Sequence, residues 1–369
     1  QGAGGAARGT GSLRQVTKPH VHPVSSMGQS LQTPVTTKES GDGAAENKGI
    51  FWGVSCMQGW RVQMEDAHFA LPALDGPGWL GTAAFSVMDG HGGKEVAEFC
   101  SERLPAEIAR GPSEDAPGAL VAAFHRMDEL LGSEPLLGDP DCVGCTCVVC
   151  LVRPDALVVA NCGDSRAVLS RRGGAVPLSE DHKPNLPQEH ERIRRAGGSI
   201  YRQQVGPIVQ FRVNGNLNLS RSIGDLQYKR NPHLKPCEQM ICSTPDVHAY
   251  PRDPGDEFLI VACDGVWDVL GSQDAVDFVR ERLPQYRRSG LRLSLIMEEM
   301  LDHCISPDLS LTSGLGGDNM TALLVVFNQP SGEAMAATIS RPLGSNGAIV
   351  EEAAIVPAGL CSCKRRPSE

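Results

Sequence analysis

Runs of consecutive apolar residues, many of them β-branched, punctuate the chain at residues 83–87, 145–152, 157–160, 167–169, 258–262 and 322–327. Their length and composition predict buried strands. Between them the apolar spacing changes to three and four. Val96, Phe99, Cys100 and Leu104 fall on one helical face, as do Leu120, Phe124, Met127 and Leu131. Residues 188–196 predict a polar helix stopped by Gly197-Gly198. Ser272 stands where it could cap a helix burying Val276, Val279 and Leu283, and Leu295, Ile296, Met300 and Cys304 predict another. Several strands follow one another near residues 145–180 with no helix between them. That order predicts an α+β fold with antiparallel sheets rather than a strictly alternating parallel one.

The same pattern divides the chain. Residues 1–26 are rich in Gly, Ala and Ser, and a flexible arm is expected over 1–48. A globular unit is expected over 49–328. Pro, Gly and polar clusters mark an irregular, flap-like surface insertion at about 181–240. The pattern is lost again over 329–369, a flexible tail ending in the basic stretch Cys361-Ser362-Cys363-Lys364-Arg365-Arg366. Met27-Gly28-Gln29-Ser30 reads as a natural start. Removal of Met27 would expose Gly28 to myristoylation and weak membrane association, although Gln32 stands where that signal prefers Ser or Thr.

Bulk properties narrow the picture. With 41% hydrophobic residues among 369, the chain can bury a sizeable core. Its net charge of −10 counts against a nucleic-acid partner, which needs a basic face, and suits a protein that gathers divalent cations. The 13 cysteines have no framework spacing, and no signal-like apolar stretch precedes the globular part. No apolar run approaches the roughly 18 residues that span a bilayer. Reduced thiols in the cytoplasm or nucleus are the plain expectation.

The chemistry lies where strands end. Residues 83–88 run into Asp89-Gly90-His91-Gly92-Gly93, and 258–263 into Asp264-Gly265-Val266-Trp267-Asp268. Asn161-Cys162-Gly163-Asp164 follows 157–160, and Gly317-Asp318-Asn319 immediately precedes 322–327. A strand holds its end residue rigidly, and a neighbouring Gly lets backbone approach an ion. Brought together, these ends would form the all-oxygen site that Mg²⁺ or Mn²⁺ prefers. Any one of them taken singly is more often a turn.

Taken in order, these segments resemble the metal-dependent protein phosphatase family (PPM, protein phosphatase 2C type). The series begins at Arg61-Val62-Gln63-Met64-Glu65-Asp66 and continues through Val87-Met88-Asp89-Gly90-His91-Gly92-Gly93. Gly144-Cys145-Thr146, Asn161-Cys162-Gly163-Asp164-Ser165-Arg166 and the stretches 178–184, 192–198 and 212–225 follow, and 258–270 and 317–321 complete it. The resemblance implies two packed antiparallel β-sheets flanked by α-helices. It implies a serine/threonine protein phosphatase, a phosphoric monoester hydrolase that acts on phosphoproteins as a monomer. Two Mg²⁺ or Mn²⁺ ions are implied, with a third at a weaker site. A metal-bridging hydroxide would attack phosphorus in line, with no phospho-enzyme.

Residue by residue, the resemblance makes Asp89 the carboxylate bridging both ions, with the Gly90 carbonyl a ligand. Glu65 and Asp66 line the same site partly through waters, and Asp264 and Asp318 complete the ligands. Asp164 and Asp268 resemble the third site. Arg61 would hold substrate phosphate and His91 would be the general acid. Asn218 departs from the small apolar residue usual in relatives, and the flap at 188–215 is not diagnostic of a substrate. Two other readings stay open: a silent phosphoprotein-binding relative, and a phosphatase of small esters.

Other signals carry less. Cys147 and Arg153 have the spacing of a cysteine phosphatase loop, but the residues between them read as strand. Pro135, Gly138 and Pro140 make a turn of the Asp139-Pro140-Asp141 segment, where an aspartyl nucleophile would need a strand end. Cys142, Cys145, Cys147 and Cys150 would divide between two strand faces, which a single zinc site cannot use. Gly76-Pro77-Gly78-Trp79-Leu80-Gly81-Thr82 lacks the Lys of a phosphate-binding loop.

Overall fold

The structure is a computed structural model describing residues 30–133, 141–205, 208–289 and 292–327. The chain enters on β1 (Ser30–Ala45) and β2 (Ile50–Arg61), then β3 (Ala67–Leu71), β4 (Ala83–Met88) and the short β5 (Gly90–His91). Helices α1 (Glu95–Arg110) and α2 (Ala116–Ser133) follow. Next come β6 (Gly144–Cys145), β7 (Cys147–Val152), β8 (Ala156–Cys162), β9 (Arg166–Arg171) and β10 (Gly174–Pro177). Helix α3 (Pro187–Arg195) leads to β11 (Ile200–Val205), β12 (Ile208–Val213) and β13 (Ile223–Gly224). The last part holds β14 (Asp246–Pro251), β15 (Asp256–Ala262), α4 (Asp264–Trp267), α5 (Ser272–Ser289), α6 (Ser294–Cys304) and β16 (Met320–Phe327).

Two antiparallel sheets form the frame. One has six strands in the order β1-β2-β16-β15-β9-β10, and the other five in the order β14-β8-β7-β4-β3. Alternation along each strand explains the layers. Leu259, Val261 and Cys263 face the core between the sheets, with Phe85, Val87, Val148, Cys150, Leu323 and Val325. Phe258, Ile260 and Ala262 face the other way, onto α5 and α6 through Val276, Val279, Ile296 and Met300. On the second sheet Cys147, Val149 and Leu151 turn outward to α1 and α2, meeting Phe99, Leu104, Leu120, Phe124 and Met127. Strands buried on both faces read as unbroken apolar runs. The two-sheet sandwich flanked by helices is as expected, and no helix among the described residues is long and apolar enough to cross a membrane.

The expected arm needs correction over residues 30–48. Ser30–Ala45 is the edge strand of the six-stranded sheet, in antiparallel register with β2 from Ser30↔Arg61 to Ala45↔Ile50. Among its residues only Ala45 is buried, so its main-chain bonds place it without any apolar signal. The insertion at 181–240 is more regular than expected. It carries α3 and the antiparallel pair β11–β12. Gly28 and the C-terminal tail lie outside the described residues.

Cysteine placement agrees with the strand reading. Cys145 and Cys147 sit in the core under α1 and α2, Cys150 lies between the sheets, and Cys142 is exposed. Phe85 is fully buried and meets Trp52 edge to face, with ring centroids 5.5 Å apart. Phe85→Ala is expected to cost about 3–5 kcal/mol of stability through the cavity it leaves, read as a lower urea midpoint with unchanged slope.

Candidate active site and metal centre

One end of the sandwich gathers the acidic strand ends. β4 delivers Asp89, whose main chain is clamped on both sides by Thr146: Asp89 N–H donates to Thr146 Oγ1 at 3.0 Å, and Thr146 N–H to the Asp89 carbonyl at 2.9 Å. Thr146 also reaches Ser165 at 2.7 Å, tying in the turn that carries Asp164. β15 delivers Cys263 and then Asp264, and α4 sets Asp268 one turn on, its N–H donating to the Asp264 carbonyl at 2.8 Å. Asp318 precedes β16, and its Oδ1 accepts the Asn319 N–H at 2.8 Å.

Asn319 pins the loop after β2. Its Nδ2 donates to the Gln58 and Gln63 carbonyls at 2.7 and 3.0 Å, and its Oδ1 accepts the Glu65 N–H at 2.9 Å. Glu65 and Asp66 are thereby held against the other carboxylates. Arg61 Nη2 donates to Asp318 Oδ2 at 2.5 Å, and the Arg61 side chain is about 40% exposed. Glycine is required at two close approaches. A Cβ on Gly90 would lie 2.3 Å from the Glu65 carbonyl oxygen, and one on Gly265 2.0 Å from that of Asn319.

The electrostatics show how close these groups are. Burial, then the charges of Asp264, Asp66, Asp318 and Asp164, hold Asp89 well above the usual carboxylate range. Burial pushes Asp66 up to about 7, against a 2.7 Å bond from the Thr321 hydroxyl that favours its charged form. Burial raises Asp164 to about 6 although the Lys183 ammonium pairs with it directly. Asp264 and Asp318 are raised by burial too; Asp318 adds to the effect on Asp264, while Arg61 opposes it on Asp318. Glu65 is raised by burial. Asp268 opens to solvent at the rim, yet partial enclosure and Asp264 push it up to about 7.

The donor set fits hard divalent cations. Asp66 Oδ1 is buried with no hydrogen-bond partner, an orphan that a cation or its water would satisfy. These carboxylates still raise one another's pKa with Arg61 and Lys183 beside them, so negative charge remains in excess, and dications would offset it. Glu65, Asp66, Asp89, Asp264 and Asp318, with the Gly90 carbonyl, would hold the pair, and Asp164 and Asp268 stand beside them. Every residue expected in the site is therefore at this end of the molecule.

Reading the chain alone did not single out the partners of these groups. Asp225, the last residue of the 212–225 stretch, is buried and bonded to His91 Nε2 at 2.7 Å. Its Oδ2 also accepts the Ser222 hydroxyl at 2.5 Å. Burial alone would lower His91, but the Asp225 carboxylate overrides it and holds the imidazole above its ordinary value. Burial would raise Asp225, and the same pair holds it below the usual range. Lys183 is the other omission. Burial would lower its ammonium, but Asp164 and Asp264 raise it. Both residues lie inside motifs that were visible, so position was the available signal and charge pairing was not.

Residues 52–310 match the family model described as Protein phosphatase 2C. The chain is 40% identical to "Probable protein phosphatase 2C 58" of Oryza sativa subsp. japonica, over 82% of this chain and 90% of that protein. It is 41% identical to "Protein phosphatase 2C homolog 3" of Schizosaccharomyces pombe, over 82% of this chain and 70% of that protein. Among solved structures it is similar to a phosphatase from a pathogenic strain of Toxoplasma gondii, at 25% identity and a TM-score of 0.65, over 80% of this chain and 97% of that one.

Proposed function

This chain belongs to the protein phosphatase 2C family, and from that premise we propose that it hydrolyses phosphoserine and phosphothreonine in phosphoproteins with the help of two Mg²⁺ or Mn²⁺ ions. The observation that carries the reading is the gathering of Asp66, Asp89, Asp264 and Asp318, distant in sequence, into one largely enclosed cluster whose negative charges outnumber the Arg61 and Lys183 cations beside them. Ions held by these carboxylates would supply Lewis acidity, lowering the pKa of a water toward neutrality so that it could serve as the nucleophile.

The chain's own residues do the rest. Arg61 is steered by Asp318 at the mouth of the cluster, and its remaining N–H groups can grip two phosphate oxygens in a fork. That grip offsets charge in the transition state and fixes the ester for attack. His91 faces the same space from β5. Asp225 occupies Nε2, so Nδ1 is the nitrogen left to pass a proton to the departing serine or threonine oxygen. Lys183 holds Asp164 beside the cluster and limits its repulsion of Asp264.

Phosphate release from a phosphothreonine peptide, a phosphotyrosine peptide and a small sugar phosphate, each with Mn²⁺, tests the substrate class. Preference for the first is expected; equal or greater turnover of the sugar phosphate would transfer the reading to small esters. Binding of the peptide without any turnover would favour a silent relative.

The acid role has its own test. His91→Ala is expected to lower kcat on a phosphothreonine peptide by roughly 10²–10⁴-fold, the usual contribution of a positioned acid. An activated aryl phosphate, whose leaving group needs no proton, should lose far less. Asp225→Asn should show the same asymmetry in weaker form. Equal losses on both substrates would remove His91 from proton transfer.

A further inference from the structure

We propose that the end of the sandwich opposite the acidic cluster carries a second ligand site, a cationic cleft between the two sheets that takes a small phosphate ester of a planar ring, the chemistry of a nucleoside monophosphate. The inference goes beyond the phosphatase reading and does not depend on it.

The cavity has a volume of about 550 Å³, within the range of small-ligand pockets. Its walls come from both sheets. Ile50 opens β2 and Phe327 closes β16 on one side; Val152 closes β7 and Arg252 follows β14 on the other. These are the strand ends far from the cluster. β2 runs on to Arg61, β16 begins two residues after Asp318, and β7 begins next to Thr146. The eight residues of β16, at about 3.3 Å each, put roughly 25 Å between the two ends.

Charge decides what the cavity takes. Lys48, Arg153 and Arg252 line it, against the carboxylates of Asp253 and Asp256. Both acids are engaged by arginines that stand outside the lining. Arg171 Nε donates to Asp256 Oδ1 at 2.7 Å, and Arg172 Nη2 to Asp253 Oδ1 at 2.5 Å. Asp256 Oδ2 accepts the Asp253 N–H at 3.0 Å, and Arg252 Nε reaches it only at 3.4 Å. Lys48 pairs with no carboxylate among the described residues. Its ammonium donates to the Pro72 and Leu80 carbonyls at 2.6 and 2.9 Å, which uses two of its three N–H groups. Burial lowers its pKa with no acid countering the effect. Arg153 donates to the Ser113 carbonyl at 2.6 Å, and its ion-pair partner, the exposed Asp155, lies 3.8 Å away. Positive charge is thus in excess here, on a chain whose net charge is −10.

The second feature is flat. The Arg252 guanidinium lies over the Phe327 ring, 4.2 Å from its centroid, and both groups line the cavity. Such a guanidinium platform stacks a planar ring, while Lys48 and Arg153 hold an anion beside it. Inorganic phosphate would leave the platform unused, and an uncharged ring would leave the cations unpaired. A phosphate monoester of a flat ring uses both.

The probe is AMP, titrated by calorimetry into the full chain, once loaded with Mg²⁺ and once in chelator, where no ion is present to turn AMP over. One saturable site is expected in both conditions. Adenosine, which lacks the phosphate, and ribose 5-phosphate, which lacks the ring, should each bind at least about tenfold more weakly than AMP. Lys48→Gln and Arg153→Gln should each weaken AMP by about tenfold or more, the loss of one charged hydrogen bond. Arg61→Ala should leave AMP binding as it is. Phosphopeptide turnover with Mn²⁺ should be unchanged in Lys48→Gln and Arg153→Gln. Absence of saturable AMP binding at millimolar concentration overturns the proposal. So does ribose 5-phosphate binding as tightly as AMP, a comparison that needs no variant. AMP binding that requires Mg²⁺, or that fails in Arg61→Ala and survives in Lys48→Gln, belongs to the acidic end and overturns it too. Loss of turnover in Lys48→Gln without loss of AMP binding would remove Lys48 from the cleft's ligands and overturn it as well. Failure of the wild type to hydrolyse any phosphopeptide, with AMP bound as expected, defeats the phosphatase reading alone.

Discussion

Asp264→Asn is expected to lower phosphopeptide kcat by about 10³-fold or more at saturating Mn²⁺, while making the metal-free protein more stable than the wild type. The two effects come from one cause. Asp264 sits half-buried at the end of β15 among Asp318, Asp89 and Asp66, whose charges Lys183 and Arg61 only partly offset, so its own charge is unfavourable until a cation arrives. The amide keeps the shape and removes the charge. Without metal, one source of repulsion is gone and the fold gains. With metal, a ligand is gone. Disturbing only the surroundings of a metal ligand costs roughly 10–100-fold, so loss of the ligand itself should cost more. Steady-state kinetics and thermal melts in chelator measure both quantities. Turnover within tenfold of wild type would remove Asp264 from the metal centre. A lower melting point in chelator would show that its charge is already compensated.

This dual behaviour bears on what the chain alone could reveal. The apolar runs were legible because β4, β7, β15 and β16 are buried on both faces, and the aspartates were legible because they end those runs. β2 was not, although nearly all of it is buried. It contains Gly53 and Gly59, which look like interruptions. Gly53 is there for contact instead: a Cβ would lie 2.2 Å from the Ser294 backbone nitrogen, where α6 packs onto the strand. β1 and β14 were missed for the opposite reason. As edge strands they are mostly exposed, so polar residues serve and the alternation signal fades.

The site divides in the same way. Residue type and spacing pointed to Asp89, Asp264 and Asp318, because strand ends are local features. Asp225 contacts His91, 134 positions away in the chain, and nothing local marks that contact. Asp225 also adopts a left-handed backbone at φ 50°, and its N–H donates to the Val143 carbonyl at 2.9 Å. Only the folded arrangement of β5, β6 and β13 brings acid and imidazole together.

Metal removal should abolish turnover reversibly, and its cost in stability should grow with pH. Asp66 titrates at about 7 and Asp164 at about 6 in the folded metal-free chain, against an ordinary value of 3.8, and Asp89 lies well above it. Raised folded values mean that the folded state binds more protons than the unfolded one. The stability these carboxylates contribute is therefore fully present below about pH 4 and lost as pH rises through about 6 and 7. Cations replace those protons, so loading should restore stability at pH 8 and matter less at pH 5, where protons compete for the same oxygens. At a hundredfold excess over Kd, one ion contributes about 2.7 kcal/mol, or roughly 5 °C in a chain of this size. His68 complicates the absolute curve. Burial lowers it to about 4, so its contribution is present above its ordinary value and lost as pH falls through the folded one, the opposite trend. It is not among the carboxylates that would hold the ions, so it cancels when loaded and chelated samples are compared at each pH. The melting-point difference between Mn²⁺ and chelator should thus widen steadily from pH 5 to pH 8, and excess Mn²⁺ should restore turnover. A difference independent of pH would mean that the buried aspartates are not where the ions bind.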